Sequence, residues 1–353
     1  MKRLIIIQTV APDYRNLFFK RLKEVLNDQF ELYAGNESFE ASIKTQSKIH
    51  KELKNHFLFN RKLLFQTKIW HLLFKDDVIV LELNPRILSN WLFLIIRKIT
   101  SKPTVLWGHA WPRNGKKAKS DFLRHLMRKL GDIIIVYTHR QKKELQEKMP
   151  DKNIVAAPNA LLKSESMVTE PNASAKNLIY VGRLVAAKKV YFLVKAFHHA
   201  LDLIPEDAKL IIVGDGEEKE NLQQYINKHN LANRIQLLGH ISNYKTLKKL
   251  YHQALFSVSP GYGGLSITQS FGFGVPMLIS KNENHSPEIE AVKEGENALF
   301  FKTDNMDDFA QKLQSIYQSR EEWLKKREKI VDFCKKNYST EAMAQVFINL
   351  INN

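Results

Sequence analysis

The sequence has one cysteine, Cys334, among 353 residues. An internal disulfide is therefore excluded, and no Cys/His cluster has zinc-ligand spacing, which argues against a bound metal and for a reducing compartment, the cytoplasm. Long hydrophobic runs are also missing. The longest, Ile87–Ile99, is interrupted by Ser89, Asn90, Arg97 and Lys98 and falls short of the ~20 apolar residues a spanning helix needs. The opening Met-Lys-Arg-Leu-Ile-Ile-Ile-Gln reaches polar Gln8 after about four apolar residues, too few for a signal peptide, and reads as a first strand. No internal repeat or low-complexity segment occurs. Negative charge is in short supply, since 37 Asp and Glu face 54 Lys and Arg for a net +17.

The charge is unevenly spread. Residues 1–175 hold 31 Lys and Arg against 17 acidic residues, a balance of +14, whereas residues 176–353 hold 23 against 20, only +3. A basic first half suits an anionic membrane surface or a phosphorylated acceptor, while no recognised nucleic-acid module accompanies the charge. Aromatic and basic residues interleave over Lys51–Phe74, which reads as a stretch at a lipid interface. The apolar residues of Arg86–Ile99 read as the core face of a helix.

Short apolar runs alternate with amphipathic stretches. Leu4–Ile7, Phe30–Tyr33, Val78–Leu83, Thr104–Trp107, Ile133–Tyr137 and Ile154–Ala157 read as strands, separated by helical patterns, which predicts a doubly wound parallel sheet. A polar passage, Leu162–Lys176, has linker composition. The alternation then restarts with Leu178–Val181, Lys209–Val213, Ile235–Leu238, Leu255–Val258 and Met277–Ser280. The expected organisation is therefore a first Rossmann-like domain over 1–165, a second over 172–335, and a final helix within 336–353 packing back on the first. Two such α/β domains would face a cleft, with ligands at the carboxyl ends of their strands.

The segment Pro260–Pro276 reads Pro-Gly-Tyr-Gly-Gly-Leu-Ser-Ile-Thr-Gln-Ser-Phe-Gly-Phe-Gly-Val-Pro after the apolar run Ala254–Val258. A glycine-rich turn between a buried strand and a helix leaves backbone N–H groups at the positive helix end, where they can hold phosphate. Upstream lie Tyr180–Lys189 (Tyr-Val-Gly-Arg-Leu-Val-Ala-Ala-Lys-Lys), Leu210–Glu218 (Leu-Ile-Ile-Val-Gly-Asp-Gly-Glu-Glu), Gln236–Ile241 and Leu250–Pro260; downstream lie Ser286–Ile289 and Glu294–Phe301. In this order and spacing the chain from Leu178 to Phe301 resembles family four of the retaining, GT-B-fold glycosyltransferases.

The resemblance implies several roles. Arg183 and Lys188, beside Gly182, align with cations that hold the donor diphosphate and stabilise it as it leaves. Gly214 and Gly216 turn the chain over the nucleotide, and Gly239 and His240 face the base. The family places two glutamates where this sequence has Gly261 and Gln269; the amide of Gln269 can take over a ribose contact, while the amides of Gly263, Gly264 and Leu265 remain to bind diphosphate and sugar hydroxyls. Lys189 stands where glycine is usual and alters the turn. In the first half, Trp107–Arg113 follows a strand, and His109 aligns with an active-site histidine, with Tyr14, Arg15 and Trp111 on the acceptor side. The donor implied is a UDP- or GDP-linked sugar, with neither metal nor cofactor, and the acceptor a saccharide or lipid-linked group for cell-envelope polysaccharide. The location implied is cytoplasmic, peripheral on the inner membrane face. Two other readings stay open: a non-catalytic partner subunit, and a nucleotide-sugar epimerase or hydrolase on the same fold.

Overall fold

A computed structural model describes residues 2–40, 44–112, 114–170 and 172–352. Arg113, which closes the Trp107–Arg113 motif, and Pro171 in the polar passage lie outside the described residues. The chain divides into two units, residues 1–161 with 338–353, and residues 162–337. The polar passage Leu162–Lys176 thus falls in the second unit, and the chain re-enters the first at Tyr338.

In the first unit the strands are β1 (Leu4–Gln8), β2 (Phe30–Ala34), β3 (His50–Glu52), β4 (Lys54–Leu58), β5 (Leu63–Thr67), β6 (Val78–Glu82), β7 (Thr104–Trp107), β8 (Ile133–Val136) and β9 (Asn153–Ala156). Seven of them form a parallel sheet in the order β3-β2-β1-β6-β7-β8-β9. Its central strands are continuous apolar runs because both faces are covered; β1, β7 and nearly all of β6 and β8 are buried. Helix α1 (Asn16–Leu26) and the carboxyl-terminal helix Thr340–Asn352 cover one face. Helices α2 (Leu88–Ile99), α3 (Asp121–Leu130) and α4 (His139–Lys148) follow β6, β7 and β8 and contribute to the core on the other face.

Strands β4 and β5 form a separate antiparallel hairpin. Exposure alternates along both, as a pleated ribbon with one wet face requires. Phe59, Asn60 and Arg61 close it with φ of 50°, 51° and 62°. The aromatic and basic stretch at Lys51–Phe74 is dominated by extended chain; Phe65 stacks on Trp70, Arg61 lies over the Phe57 ring, and Phe59 and Phe74 are exposed.

The second unit contains β10 (Asn177–Val181), β11 (Leu210–Val213), β12 (Ile235–Leu237), β13 (Ala254–Ser259), β14 (Met277–Ser280) and β15 (Ala298–Phe301), all parallel, in the order β12-β11-β10-β13-β14-β15. Its helices are α5 (Val190–His199), α6 (Lys219–Lys228), α7 (Tyr244–Gln253), α8 (Leu265–Gly272), α9 (Met306–Gln318), α10 (Arg320–Lys325) and α11 (Arg327–Tyr338). Side chains of α5, α6 and α9 join the sheet in one core with Phe197, Phe256, Phe301 and Phe309 at its centre. Asn243 and Asn305 cap α7 and α9 by accepting from the amides of Thr246 and Asp308, each closing one otherwise orphaned donor.

In each sheet the strand order reverses beside the first strand of the unit, at β1/β6 and at β10/β13. Such a switch point opens a crevice at the carboxyl ends of the two strands because their connections leave in opposite directions. Among the described residues no helix is long and apolar enough to cross a membrane.

The terminal helix seals one side of the first unit with Phe347, whose ring meets Phe18 at 5.0 Å and Trp107 at 4.9 Å between centroids with no solvent exposure. Phe347→Ala should lower stability by about 3–5 kcal/mol. Urea denaturation followed by tryptophan fluorescence measures this, and a loss below about 1 kcal/mol would mean that the helix adds little to the core.

Candidate active site

At the β10/β13 switch point the turn after β10 meets the glycine loop after β13. Tyr180 orients the first turn by donating its hydroxyl to the Arg183 carbonyl at 2.9 Å. Arg183 is exposed, and its guanidinium donates to the Tyr262 hydroxyl at 3.3 Å. Lys188 donates to the Tyr262 carbonyl at 2.8 Å and stands 3.4 Å from the centre of the Tyr262 ring. Burial, helped by the neighbouring Arg183 charge and opposed by Glu288, lowers the Lys188 ammonium to about 8. Two cations from one strand end thus share a tyrosine from the adjacent loop.

The glycines explain how these loops come so close. A Cβ on Gly261 would stand 2.6 Å from the Ala187 carbonyl oxygen and 2.8 Å from the Lys188 carbonyl carbon. Position 261 is packed backbone to backbone, so no carboxylate fits there without moving the Lys188 turn. A Cβ on Gly214 would lie 1.8 Å from the Gly182 carbonyl oxygen, and one on Gly216 2.4 Å from that of Leu184. Gly239 adopts φ of 71° and accepts from the Gly214 amide at 2.8 Å. Lys189 takes the left-handed conformation, with φ 53° and ψ 35°, which accounts for the glycine usual there. Its side chain does more than alter the turn: the ammonium bridges Glu283 and Asp304, at 2.7 Å each.

The loop leads into α8 through Gly264, with no side-chain cap. Among the described residues no acceptor meets the amides of Leu265 and Ser266, so the helix presents open donors at its positive end. The Gly263 amide, by contrast, is engaged: it donates to His285 Nδ1 at 2.9 Å, while His285 Nε2 donates to the Ser280 carbonyl at 2.9 Å. That pair of bonds fixes the neutral tautomer, and burial lowers the His285 pKa. Gln269 accepts at 3.3 Å from the buried Tyr251 hydroxyl, which aims its amide oxygen at the core. His240 is exposed, after Gly239.

In the first unit, residues at the β1/β6 switch point surround a cavity of about 470 Å³. Tyr14, Arg15 and His109 line it; Trp111 does not, and its indole N–H donates to Glu144 at 2.8 Å. Arg15 donates to Gln8 and to the Tyr137 hydroxyl, both at 2.8 Å, and stacks 4.3 Å from the Trp107 ring centre. Protein crowding first, then Arg124 and Arg15, lowers the His109 pKa to about 4, so the ring is neutral at pH 7. Sequence reading passed over Glu82. This carboxylate ends β6, accepts from the Thr9 amide, and also accepts from the Thr9 hydroxyl at 3.0 Å; burial raises its pKa. The signal was an acid closing an apolar strand beside a switch point. Among the described residues no group of three or more His, Cys, Asp or Glu is placed to hold a metal ion.

Two Rossmann-like units, with the chain's final helix returned to the first, define the GT-B class of fold. Solved structures agree in fold: that of Anabaena Alr3699/HepE in complex with UDP matches with a TM-score of 0.73 at 14% identity over 100% of both chains. Residues 163–337 match the family model of glycosyl transferases group 1, and the second unit, residues 162–337, belongs to that family. A glycosyltransferase of uncharacterised function from Methanocaldococcus jannaschii, MJ1059, is 30% identical over 265 residues, 67% of this chain and 64% of that protein. The N-acetylgalactosamine-N,N'-diacetylbacillosaminyl-diphospho-undecaprenol 4-alpha-N-acetylgalactosaminyltransferase of Campylobacter jejuni is 27% identical over 144 residues, 40% of this chain and 38% of that protein. The chain therefore spans less than two thirds of the length of these relatives.

Two measurements check this geometry. Gly261→Glu should destabilise the protein by about 1–3 kcal/mol through overpacking, read as a fall in denaturation midpoint; wild-type stability would show that the loop has room. Because His109 and His285 have folded-state pKa values below the ordinary ~6.5, the unfolded chain binds more protons. Stability should thus be complete above about pH 6.5 and fall as pH drops toward 4. His109→Asn should flatten that slope.

Proposed function

We propose that this protein is a retaining glycosyltransferase that moves a sugar from a nucleoside diphosphate sugar to a saccharide or lipid-linked acceptor. The observation that carries this reading is the convergence of Arg183, Lys188 and the open amides of α8 at one switch point. A departing diphosphate gathers charge on its oxygens, and fixed cations and N–H dipoles stabilise that charge without reorganising. In this scheme the acceptor hydroxyl oxygen bonds to the anomeric carbon on the face from which the phosphate leaves. The bond to the phosphate oxygen breaks, and that oxygen takes the hydroxyl proton. No protein nucleophile is required, which suits a loop where Gly261 admits no side chain. The cavity lined by Tyr14, Arg15, Glu82 and His109 takes the acceptor, its neutral histidine and buried carboxylate offering hydrogen bonds to sugar hydroxyls. A lipid-linked acceptor fits the basic first unit and the undecaprenol-linked substrate in the name of the Campylobacter relative.

The same glycine favours one competing reading, a subunit that binds donor without turning it over; product formation from labelled donor separates the two.

Thermal shifts with UDP and GDP test the donor site, since a ligand of the folded state raises apparent stability. Arg183→Ala should weaken binding at least tenfold. Affinity should also fall as pH rises through about 8, where Lys188 loses its proton, and Lys188→Arg should abolish that dependence. Equal affinity at pH 7 and 9 in the wild type would remove Lys188 from the site.

A further inference from the structure

Helices α2 and α3 of the first unit each bury an arginine beside their core residues and leave a second apolar stripe outside. On α2 Arg97 is fully buried, and its guanidinium donates to the carbonyls of Leu73, Lys75, Asp77 and Pro103 at 2.8–3.0 Å and to the Thr104 hydroxyl at 3.0 Å. Leu92, Ile95 and Ile99, spaced along one stripe, face outward, with Ile99 78% exposed. Helix α3, packed beside α2, repeats the arrangement. Arg128 is fully buried against Asp121 at 2.8 Å and the Ala110 carbonyl at 2.5 Å, while Phe122, Leu123 and Leu126 are exposed, Phe122 by 65%.

Neither helix can roll to bury its apolar stripe. Rolling would expose Phe93, Leu94 and Met127 and leave the carbonyls that accept from Arg97 and Arg128 buried without donors, a cost greater than that of an exposed leucine. Six large apolar side chains are therefore held in water by two arginine anchors. Soluble surfaces rarely present such clusters without a partner.

Charge around the cluster selects the partner. Residues 86–130 contain 11 Lys and Arg and one acidic residue; of these Arg97, Arg128 and Asp121 are buried, and Arg113 lies outside the described residues. Lys116, Lys117 and Lys119, ahead of α3, are exposed, as are Lys98 on α2 and Lys129 on α3. Apolar side chains framed by lysines match a leaflet of anionic lipid, whose acyl boundary takes the former and whose headgroups take the latter. We infer that the α2–α3 face is a membrane-docking surface that inserts Leu92, Ile95, Ile99 and Phe122 into an anionic leaflet. The inner face of α2 keeps its place in the core through Phe93 and Leu94, and the lipid contact falls on the opposite stripe. It stands independently of the transferase reading.

The test is cosedimentation of the full chain with vesicles of phosphatidylglycerol and phosphatidylcholine, and with phosphatidylcholine alone. Binding is expected only to the anionic vesicles, weakening as salt rises. Ile95→Ser/Ile99→Ser/Phe122→Ser and, separately, Lys116→Glu/Lys117→Glu/Lys119→Glu should each raise the lipid concentration for half-binding at least tenfold, with unchanged melting and nucleotide binding confirming an intact fold. Unaltered vesicle binding in both variants would overturn the inference. So would a doubled mass by light scattering that the apolar variant abolishes while wild type ignores vesicles, since the face would then belong to a second copy. RNA binding lost in the lysine variant, without vesicle binding, would overturn it equally.

Discussion

The second unit depends on backbone approaching backbone at the carboxyl edge of its sheet. Gly214 lies against the Gly182 carbonyl, Gly216 against that of Leu184, and Gly261 against Ala187 and Lys188. Any side chain at these positions would drive apart loops that leave neighbouring parallel strands. Because the loops touch through main chain, the cations they carry are fixed by rigid peptide units rather than by flexible stems alone, and preorganisation of that kind is what charge stabilisation requires. The absence of a side chain at position 261 is thus a packing condition as much as a gap in a motif.

The first unit is organised around buried polar contacts instead. Thr9 gives both its amide and its hydroxyl to Glu82 across the β1/β6 switch point, and Arg15 joins Gln8, Trp107 and Tyr137 in one network. These contacts set the floor of a cavity on a scaffold of strand ends. Farther out, the same tactic of burying a charge among carbonyls locks α2 in place, so that polar anchoring decides which surface the unit shows to its surroundings.

Most of the sheet was legible because strands buried on both faces must be continuous apolar runs, and Leu4–Ile7, Leu210–Val213 and Met277–Ser280 are such runs. The hairpin Lys54–Thr67 was not, because its alternation is carried by His56, Phe57, Leu64 and Gln66 among lysines, a pattern that composition alone assigns to an interface. Arg183, Lys188 and the glycine loop were visible as motifs, and the structure brings them together on adjacent strands. Their geometry was not visible: nothing in the letters says that Gly261 abuts the Lys188 turn or that His285 holds the Gly263 amide. Glu82 and the buried Arg97 were overlooked for a related reason, since a single charge in an apolar stretch reads as an interruption until its partners, distant in sequence, are seen.

Tyr262 decides what a ligand of this loop would meet. Its ring, hydroxyl and carbonyl engage both Lys188 and Arg183, so each cation already has a partner. On the transferase reading, a phosphate would have to take the place of that tyrosine, and the cations it meets are held ready rather than left to fold away. Such an exchange would give up some tightness of binding in return for a site set before its ligand arrives.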